Sequence, residues 1–599
     1  MIPAAHLYFL QFLLEEVHHI SDVLSLPRFA HLDKEQAREL LASARQLANQ
    51  EMAPYFKAMD DTPVAYDGKG NVLTHSCLKT IIPLSAEQGW IGGNAAFEHG
   101  GMQIPEMIFG TAHHLFQMAN NGVEGYLGLS SGAAGLITSF GSPEQIQTFV
   151  PKIFAGEWQG TMALTEPQAG SSLTDITTQA IPMANGEYQI KGHKIFISGG
   201  QHEACSNFIH LTLARIPGAP AGVKGISLFI VPKFRSDGNG GWEDNDVYCA
   251  GDFQKMGQRG YATTHLVFGD KDNCHGYLVG EANKGLGYMF QMMNGARISV
   301  GLCAASVAMA AYQASLQYAK ERPQGRLPGE KDPARPPVLI IEHADVQRML
   351  WTQKVIAEGS LSLGLACNKL YDQVHGSTGA EKEKYHLLLE ILTPIIKTYA
   401  AEQGSRSAAL AIQTLGGYGY TTDFPVQQHY RDLKIMSLYE GTTGIQSLDL
   451  LGRKMIQDKG KAFAALMEQV QADLNRASLD PRLGSAAQKM GELGLVIQDT
   501  LHQLQPYLEK GQTERFLADA TVFMEMMSTW VIGWQWVCMG LAATKALDAG
   551  VPGKEAFYQG KIQALGFFVK YEIPHAFAAG QTLVHPEHFT AETNWERFD

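Results

Sequence analysis

Tyr188-Gln-Ile-Lys-Gly-His-Lys-Ile-Phe-Ile-Ser198 reads with a period of two, inside a chain whose flanking text repeats at three and four. Side chains alternate between faces along a strand, so this rhythm marks a β-strand set between helical regions. Three further segments share it: Phe208-Ile-His-Leu-Thr-Leu-Ala214, Gly225-Ile-Ser-Leu-Phe-Ile-Val-Pro232 and Tyr261-Ala-Thr-Thr-His-Leu-Val-Phe-Gly269. A shorter strand-like run, Gln159-Gly-Thr-Met-Ala-Leu164, precedes them. Asn185-Gly186, Pro217-Gly218 and Asp237-Gly238 supply turns between them, which predicts a compact antiparallel sheet domain.

On both sides the pattern turns helical. From about Leu7 to Ile153, Ala, Leu, Glu and Gln dominate, with Asp33 and Ser142-Pro143 as helix starts. Helical text resumes at about Gly285, and Phe290 to Leu316 reads as a long buried bundle helix. Arg326 to Pro337 reads as an exposed loop. Asp480-Pro481 and Pro506 read as breaks in a further helical region. Helices, then strands, then helices imply an α+β fold. The divisions expected are an N-terminal helical extension (1–35), an N-terminal helical domain (36–157), a middle β domain (158–282), a C-terminal helical bundle (283–456) and an extra helical domain (460–599).

The 599 residues carry a net charge of -13, with no long basic cluster, which argues against a nucleic-acid partner. Seven cysteines without a C-x-x-C predict reduced thiols and a cytoplasmic protein. Leu7 to Leu14 is apolar but lacks a preceding basic region and runs into Glu15-Glu16, so a docking helix is expected rather than a targeting signal. Ile298 to Ala319 and Met526 to Thr544 approach membrane-spanning length. The first mixes polar residues into Ala. The second carries Trp530, Trp534 and Trp536 centrally, and both are read as buried helices. Membrane contact through the C-terminal region is not favoured.

The chemistry centres on Leu438-Tyr439-Glu440-Gly441-Thr442-Thr443-Gly444-Ile445-Gln446, a carboxylate between apolar residues and a loop of small residues. Lost hydration raises the pKa of such a Glu toward that of a neutral-pH base. Gly441 permits close approach to the backbone, and Thr442 or Thr443 caps the following helix. Upstream, Thr165-Glu-Pro-Gln-Ala-Gly170-Ser171-Ser172 offers backbone amides and hydroxyls to a ligand.

These segments and their order resemble the acyl-CoA dehydrogenase family. The resemblance is carried by Thr165 to Ser172, Lys191 to Gly200, Phe290-x-x-x-Asn294-Gly-Ala-Arg297 and Glu321-Arg322-Pro-Gln-Gly-Arg326. It continues through Gln413-Thr-Leu-Gly-Gly-Tyr-Gly419 and Arg431-Asp-x-Lys-Ile435 to Tyr439-Glu440-Gly441-Thr442. The length is similar to the branch with an extra C-terminal helical domain, which includes very-long-chain and methylthiopropionyl-CoA dehydrogenases.

The resemblance implies FAD as cofactor, acyl-CoA as substrate and Glu440 as catalytic base. The rival position on the central helix, before Arg297, is Ala296 and has no acid. It further implies flavin contacts from Met162, Leu164, Thr165, Phe196 and Ser198, with Gly170 and Ser171 between the flavin and the substrate's pantetheine arm. Arg322, Gln413, Gly416, Gly417 and Thr442 are implied as other cofactor contacts, Arg322 reaching a neighbouring subunit's FAD. Asn294 and Arg297 are implied at the CoA nucleotide end, with Gly441 also beside the substrate. No metal is expected. Electron-transfer flavoprotein is the implied acceptor, and a homodimer or dimer of dimers the implied assembly. Ser172, Phe196 and Gly444 depart from the family's frequent acid, Trp and Gln. An acyl-CoA oxidase and a non-catalytic, DNA-binding relative remain as alternatives. Acids outnumber bases after residue 460, which counts against the second.

Overall fold

The computed structural model describes residues 2–587 and 589–598, side chains at 291–293 excepted. It divides into two compact units. One is His31–Ala296 with Ile2; the other is Pro3–Ala30 with Arg297 onward. The chain begins with helix α1 (Ala4–Gln11), which belongs to the second unit.

The first unit opens with α2 (Lys34–Leu47), started by a reciprocal capping box. Asp33 accepts from the Gln36 amide, and the Gln36 side chain accepts from the Asp33 amide. A small hairpin follows, β1 (Ala65–Tyr66) with β2 (Val72–Leu73), where the sequence text reads as continuous helix. Asp67 Oδ1 accepts from the Lys69 and Asn71 amides, and this turn chemistry overrides the surrounding helical bias. Helix α3 (Glu106–Phe140) is buried along nearly all of its first half and kinks at Asn120, whose side chain donates to Met52 O at 3.2 Å. Helix α4 (Pro143–Phe154) starts with Pro143 and a second capping box, Ser142 with Gln145.

Ten further strands follow: β3 (Trp158–Ala163), β4 (Gln179–Pro182), β5 (Tyr188–Ser198), β6 (Asn207–Arg215), β7 (Ile226–Pro232), β8 (Phe234–Ser236), β9 (Trp242–Asp244), β10 (Val247–Asp252), β11 (Thr263–Phe268) and β12 (His275–Leu278). Among the described residues, eight of them join one sheet in the order β10-β11-β5-β12-β7-β6-β3, with β4 against β5. Most pairs are antiparallel as expected, but β3 runs parallel to β6, from Trp158 opposite Asn207 to Ala163 opposite Thr212. The intervening loop and the β4–β5 hairpin give the chain the crossover length that parallel pairing requires. Gly160 sits where β3 meets α3; an added Cβ there would lie 2.5 Å from that of Ala133.

Helix α5 (Gly285–Glu321) begins in the first unit and enters the second at Arg297. The second unit continues with α6 (Ala344–Gly376), α7 (Gly379–Leu415), α8 (Val426–Lys434) and α9 (Thr443–Asp449). It ends with α10 (Lys461–Ser478), α11 (Gly484–Glu509), α12 (Ala520–Ala549), α13 (Glu555–Tyr571) and α14 (Ile573–Leu583). Asp480-Pro481 does separate α10 from α11. Pro506 does not break α11, because it lies in the last turn, where the helix ends three residues later in any case.

Each tryptophan of the apolar helix α12 donates to a different neighbour: Trp530 to Met490 O (3.0 Å), Trp534 to Asp473 Oδ2 (2.7 Å) and Trp536 to Val355 O (3.0 Å). Those acceptors belong to α11, α10 and α6, so this stretch is a protein core. Among the described residues α5 alone is long and apolar enough to cross a membrane, and most of its apolar window is buried. The N-terminal segment docks on α13. Tyr8 Oη lies 3.0 Å from Tyr558 Oη, and Lys561 sits 3.9 Å above the Phe9 ring while donating to Glu358 of α6 at 2.8 Å.

Candidate active site

In the second unit, α7 runs to Leu415 and ends at Gly416, whose positive φ of 62° closes the helix. Gly416 and Gly417 are exposed, and a Cβ on either would meet nothing within 4 Å. Gln413 is also exposed. The Arg322 guanidinium, at the end of α5, lies 5.9 Å from the centre of the Tyr418 ring. The structure thus brings Arg322 and the 413–419 segment together as an open cationic and glycine-lined surface, a chemistry suited to phosphate.

Glu440 lies between a short helical turn (Ile435–Ser437) and α9. It adopts a left-handed φ of 53°, and Gly441 follows at 88°. For a glutamate this conformation costs about 1–2 kcal/mol. Two buried side chains hold it. Gln446 Nε2 donates to Glu440 O at 3.0 Å, and Lys397 Nζ donates to Gly441 O at 2.6 Å. Gly441 has a φ of 88° that L side chains rarely adopt, and a Cβ there would come 2.6 Å from Gln446 Nε2 and displace the amide that donates to Glu440 O. Thr442 caps α9 by accepting from the Ile445 amide at 3.3 Å, as expected from the sequence.

Desolvation is the largest influence on the Glu440 carboxyl and raises its pKa; the positive charges of Arg297 and Lys397 pull it back only in part. The apolar run before it is not wholly buried, since Leu438 is exposed. Arg297 itself is buried and donates to Asp449 Oδ2 at 3.1 Å, while its Nε has no hydrogen-bond partner.

The first unit carries the other predicted residues. Met162 and Leu164, half-buried, pack against the hydrophobic core beside the sheet. Thr165 is half-buried and its carbonyl accepts from Ile195 N at 2.9 Å, which ties the loop to β5. Gly170 and Ser171 are exposed, while Ser198 and Asn294 are half-buried.

At Phe196 the register between β5 and β11 slips: Thr264 faces Ile197, but Leu266 faces Lys194. This bulge puts Phe196 in a left-handed φ of 57° and turns its ring outward, 56% exposed and 4.4 Å from the Phe253 ring. Bulges re-aim side chains in this way beside functional sites. An outward aromatic face next to a loop of backbone amides and hydroxyls fits a planar heteroaromatic ring.

The loop is held by a group the motif contains but the sequence reading did not single out. Glu166, buried, accepts from Lys194 Nζ at 2.8 Å and from Gln168 Nε2 at 2.8 Å. Thr177 N (2.6 Å), Thr178 N (3.1 Å) and both threonine hydroxyls also donate to it. Burial works to raise its pKa, but Lys194 and these donors outweigh it and bring the value down to about 2. Lys397 was also missed, since 43 residues of sequence separate it from Glu440 and nothing local marks it.

A separate cavity of about 660 Å³ lies elsewhere in the second unit, between residues such as Glu16, Lys384, Asp473 and Trp534. None of the predicted site residues lines it.

Family profiles match nearly the whole chain. They are the acyl-CoA dehydrogenase N-terminal domain (34–157), middle domain (161–271) and C-terminal domain (283–456), and an acetyl-CoA dehydrogenase C-terminal-like domain (464–592). A 3-methylmercaptopropionyl-CoA dehydrogenase of Ruegeria pomeroyi is 34% identical over 94% of each chain. A broad-specificity linear acyl-CoA dehydrogenase of Mycobacterium tuberculosis is 35% identical over 94% of each. A solved acyl-CoA dehydrogenase of Bacillus anthracis, complexed with FAD, superposes with a TM-score of 0.74 at 19% identity, over 98% of this chain and 93% of that one, a likeness of fold.

Proposed function

The chain belongs to the acyl-CoA dehydrogenase family, and on that premise we propose that Glu440 takes the α proton of a bound acyl-CoA as the thioester becomes a trans-2-enoyl-CoA. The family's members are FAD-dependent oxidoreductases acting on acyl-CoA. FAD, when bound, supplies the acceptor for the β hydride.

The observation that carries this reading is Glu440 itself: a desolvated carboxyl with raised pKa, held in a left-handed backbone by two buried donors. A base in that state takes a proton more readily than a solvated one. The main-chain N–H of Glu440 is assigned to the thioester oxygen, where a preorganised donor contributes about 3–4 kcal/mol to the enolate-like transition state. Gly441 keeps that approach open.

Phe196, with Met162, Leu164, Thr165, Gly170, Ser171 and Ser198, is assigned to the isoalloxazine side. Arg322, Gln413, Gly416, Gly417 and Thr442 are assigned to the rest of FAD. The outward Phe196 ring and the Arg322–Tyr418 surface support these assignments. Asn294 and Arg297 are assigned to the CoA nucleotide end by resemblance. Electron-transfer flavoprotein as acceptor, a homodimer or dimer of dimers and a cytoplasmic location complete the proposal; the seven free cysteines support the last. The names of the two relatives matched over 94% of the chain favour an unbranched acyl chain.

Purified protein is tested under nitrogen with linear acyl-CoAs of increasing length, followed by loss of flavin colour and by enoyl-CoA formation. Bleaching by at least one thioester, with reoxidation faster by electron-transfer flavoprotein than by air, is the expected result. No bleaching by any thioester overturns the reading, and immediate reoxidation by air replaces it with an oxidase.

A further inference from the structure

Lys397 lies fully buried on α7, yet its ammonium spends its hydrogen bond on a main-chain carbonyl. Burying an ammonium without a bonded counter-ion is costly, and an apolar residue at that position would fold more cheaply. The carbonyl it holds belongs to Gly441, the residue after the proposed base. Gln446 is equally buried and holds the preceding carbonyl, that of Glu440. The two donors thus fix both peptides of the left-handed pair from α7 on one side and α9 on the other.

The charged groups facing this turn come from α5, α7, α8, α9 and the helical turn that follows α9. Arg297 of α5 is bonded to Asp449 of α9, which also takes Arg453 at 2.6 Å. From α7 come Lys397 and Glu402; Glu402 accepts from Thr443 and lies 3.7 Å from Lys434 of α8. The other acids already have partners, so Glu440 is the carboxylate left to answer the Lys397 and Arg297 charges.

We propose that Lys397 and Gln446 are positioning residues for the base: together they hold the Glu440–Gly441 turn in its strained conformation, and the Lys397 charge sets how basic Glu440 is. The inference rests on Glu440 being the base and adds the residues that aim and tune it. Burial draws the Lys397 pKa down from 10.5 to about 8 against the attraction of Glu440 and Glu402, with Arg297 adding to the decrease. Lys397 is therefore largely charged at neutral pH and loses that charge in the mildly alkaline range.

The test compares Lys397→Met, Lys397→Arg and Gln446→Leu with the unaltered holoenzyme, following anaerobic flavin reduction against pH. The acidic limb of kcat/KM reports the base of the free enzyme. Removing a positive neighbour raises a carboxyl pKa, so in Lys397→Met the limb moves to higher pH by about 1. Lys397→Arg keeps the charge and keeps the limb. Gln446→Leu leaves the limb in place but lowers kcat about tenfold with KM little changed, as expected for one lost positioning hydrogen bond.

A readout independent of turnover is the melting temperature. A lysine whose folded pKa is about 8 instead of 10.5 makes stability rise as pH climbs through that interval, and Lys397→Met loses that share of the rise. Active Lys397→Met with an unmoved limb, or Gln446→Leu with wild-type kcat, overturns the proposal. If Lys397→Met does not fold, the Gln446→Leu result decides the positioning claim, and Lys397→Gln, uncharged but still a hydrogen-bond donor, decides the charge claim by whether its limb moves to higher pH. Wild-type turnover in Glu440→Gln instead overturns the underlying reading, which separates the two failures.

Discussion

Glu166 and Glu440 are both carboxylates set beside a buried lysine, one in each compact unit. Glu166 is surrounded by donors: the Lys194 ammonium, two amides, two hydroxyls and a glutamine side chain. Every one of them favours the ionised form, and its pKa falls to about 2. Glu440 faces Lys397 and Arg297 through space, while its carboxylate accepts no hydrogen bond among the described residues. There desolvation prevails and its pKa rises. Lysine proximity does not distinguish the two; hydrogen-bond saturation does. The saturated acid fastens a loop, and the unsaturated one is left able to accept a proton.

Neutralising each acid in turn should separate the two most strongly. Glu440→Gln is expected to lower turnover by several orders of magnitude while flavin is retained, measured as the rate of anaerobic flavin reduction. Its stability should move the other way. A glutamate whose folded pKa is raised loses stability as pH rises from 4.5 through that folded value, so the neutral amide melts higher than wild type at pH 7. Glu166→Gln should melt lower.

Lys194→Met strands the buried Glu166 charge and is expected to cost about 3–5 kcal/mol, read by denaturant titration. Because Glu166 accepts from Thr177 and Thr178, flavin content should fall with it. A Lys194→Met protein of wild-type stability would remove the contrast altogether.

Acid titration sharpens the contrast further. Glu166 has a folded pKa below its ordinary 4.5, so its contribution is complete above 4.5 and is lost as pH falls toward 2. The melting temperature of wild type should therefore drop across that window more steeply than that of Glu166→Gln. The smallest expected effect is Thr442→Ala. Loss of the cap on α9 costs about 1 kcal/mol and leaves the pH dependence of flavin reduction unchanged.

Much of this was legible in the residues. The period-two text gave the strands β5, β6, β7 and β11, and the apolar surroundings of Glu440 gave the direction of its pKa. Capping at Asp33, Ser142 and Thr442 followed from local chemistry that acts within four residues. What escaped depends on distant partners. The Phe196 bulge arises from register against β11, and nothing in Ile-Phe-Ile announces a left-handed residue. The parallel pairing of β3 with β6 depends on a crossover rather than on either strand's composition. Arg297 reads as a cation at a helix position, yet its partner Asp449 lies 152 residues on. Lys397 is one lysine in a long helix until the fold sets it against Gly441.

The pH dependence of anaerobic flavin reduction by an acyl-CoA substrate decides whether Glu440 works as a desolvated, unbonded carboxyl. A desolvated base gives a rate that rises with pH and reaches half its plateau above 4.5, the ordinary glutamate value. A midpoint at or below that value, or a rate indifferent to pH across it, would contradict a desolvated base at residue 440.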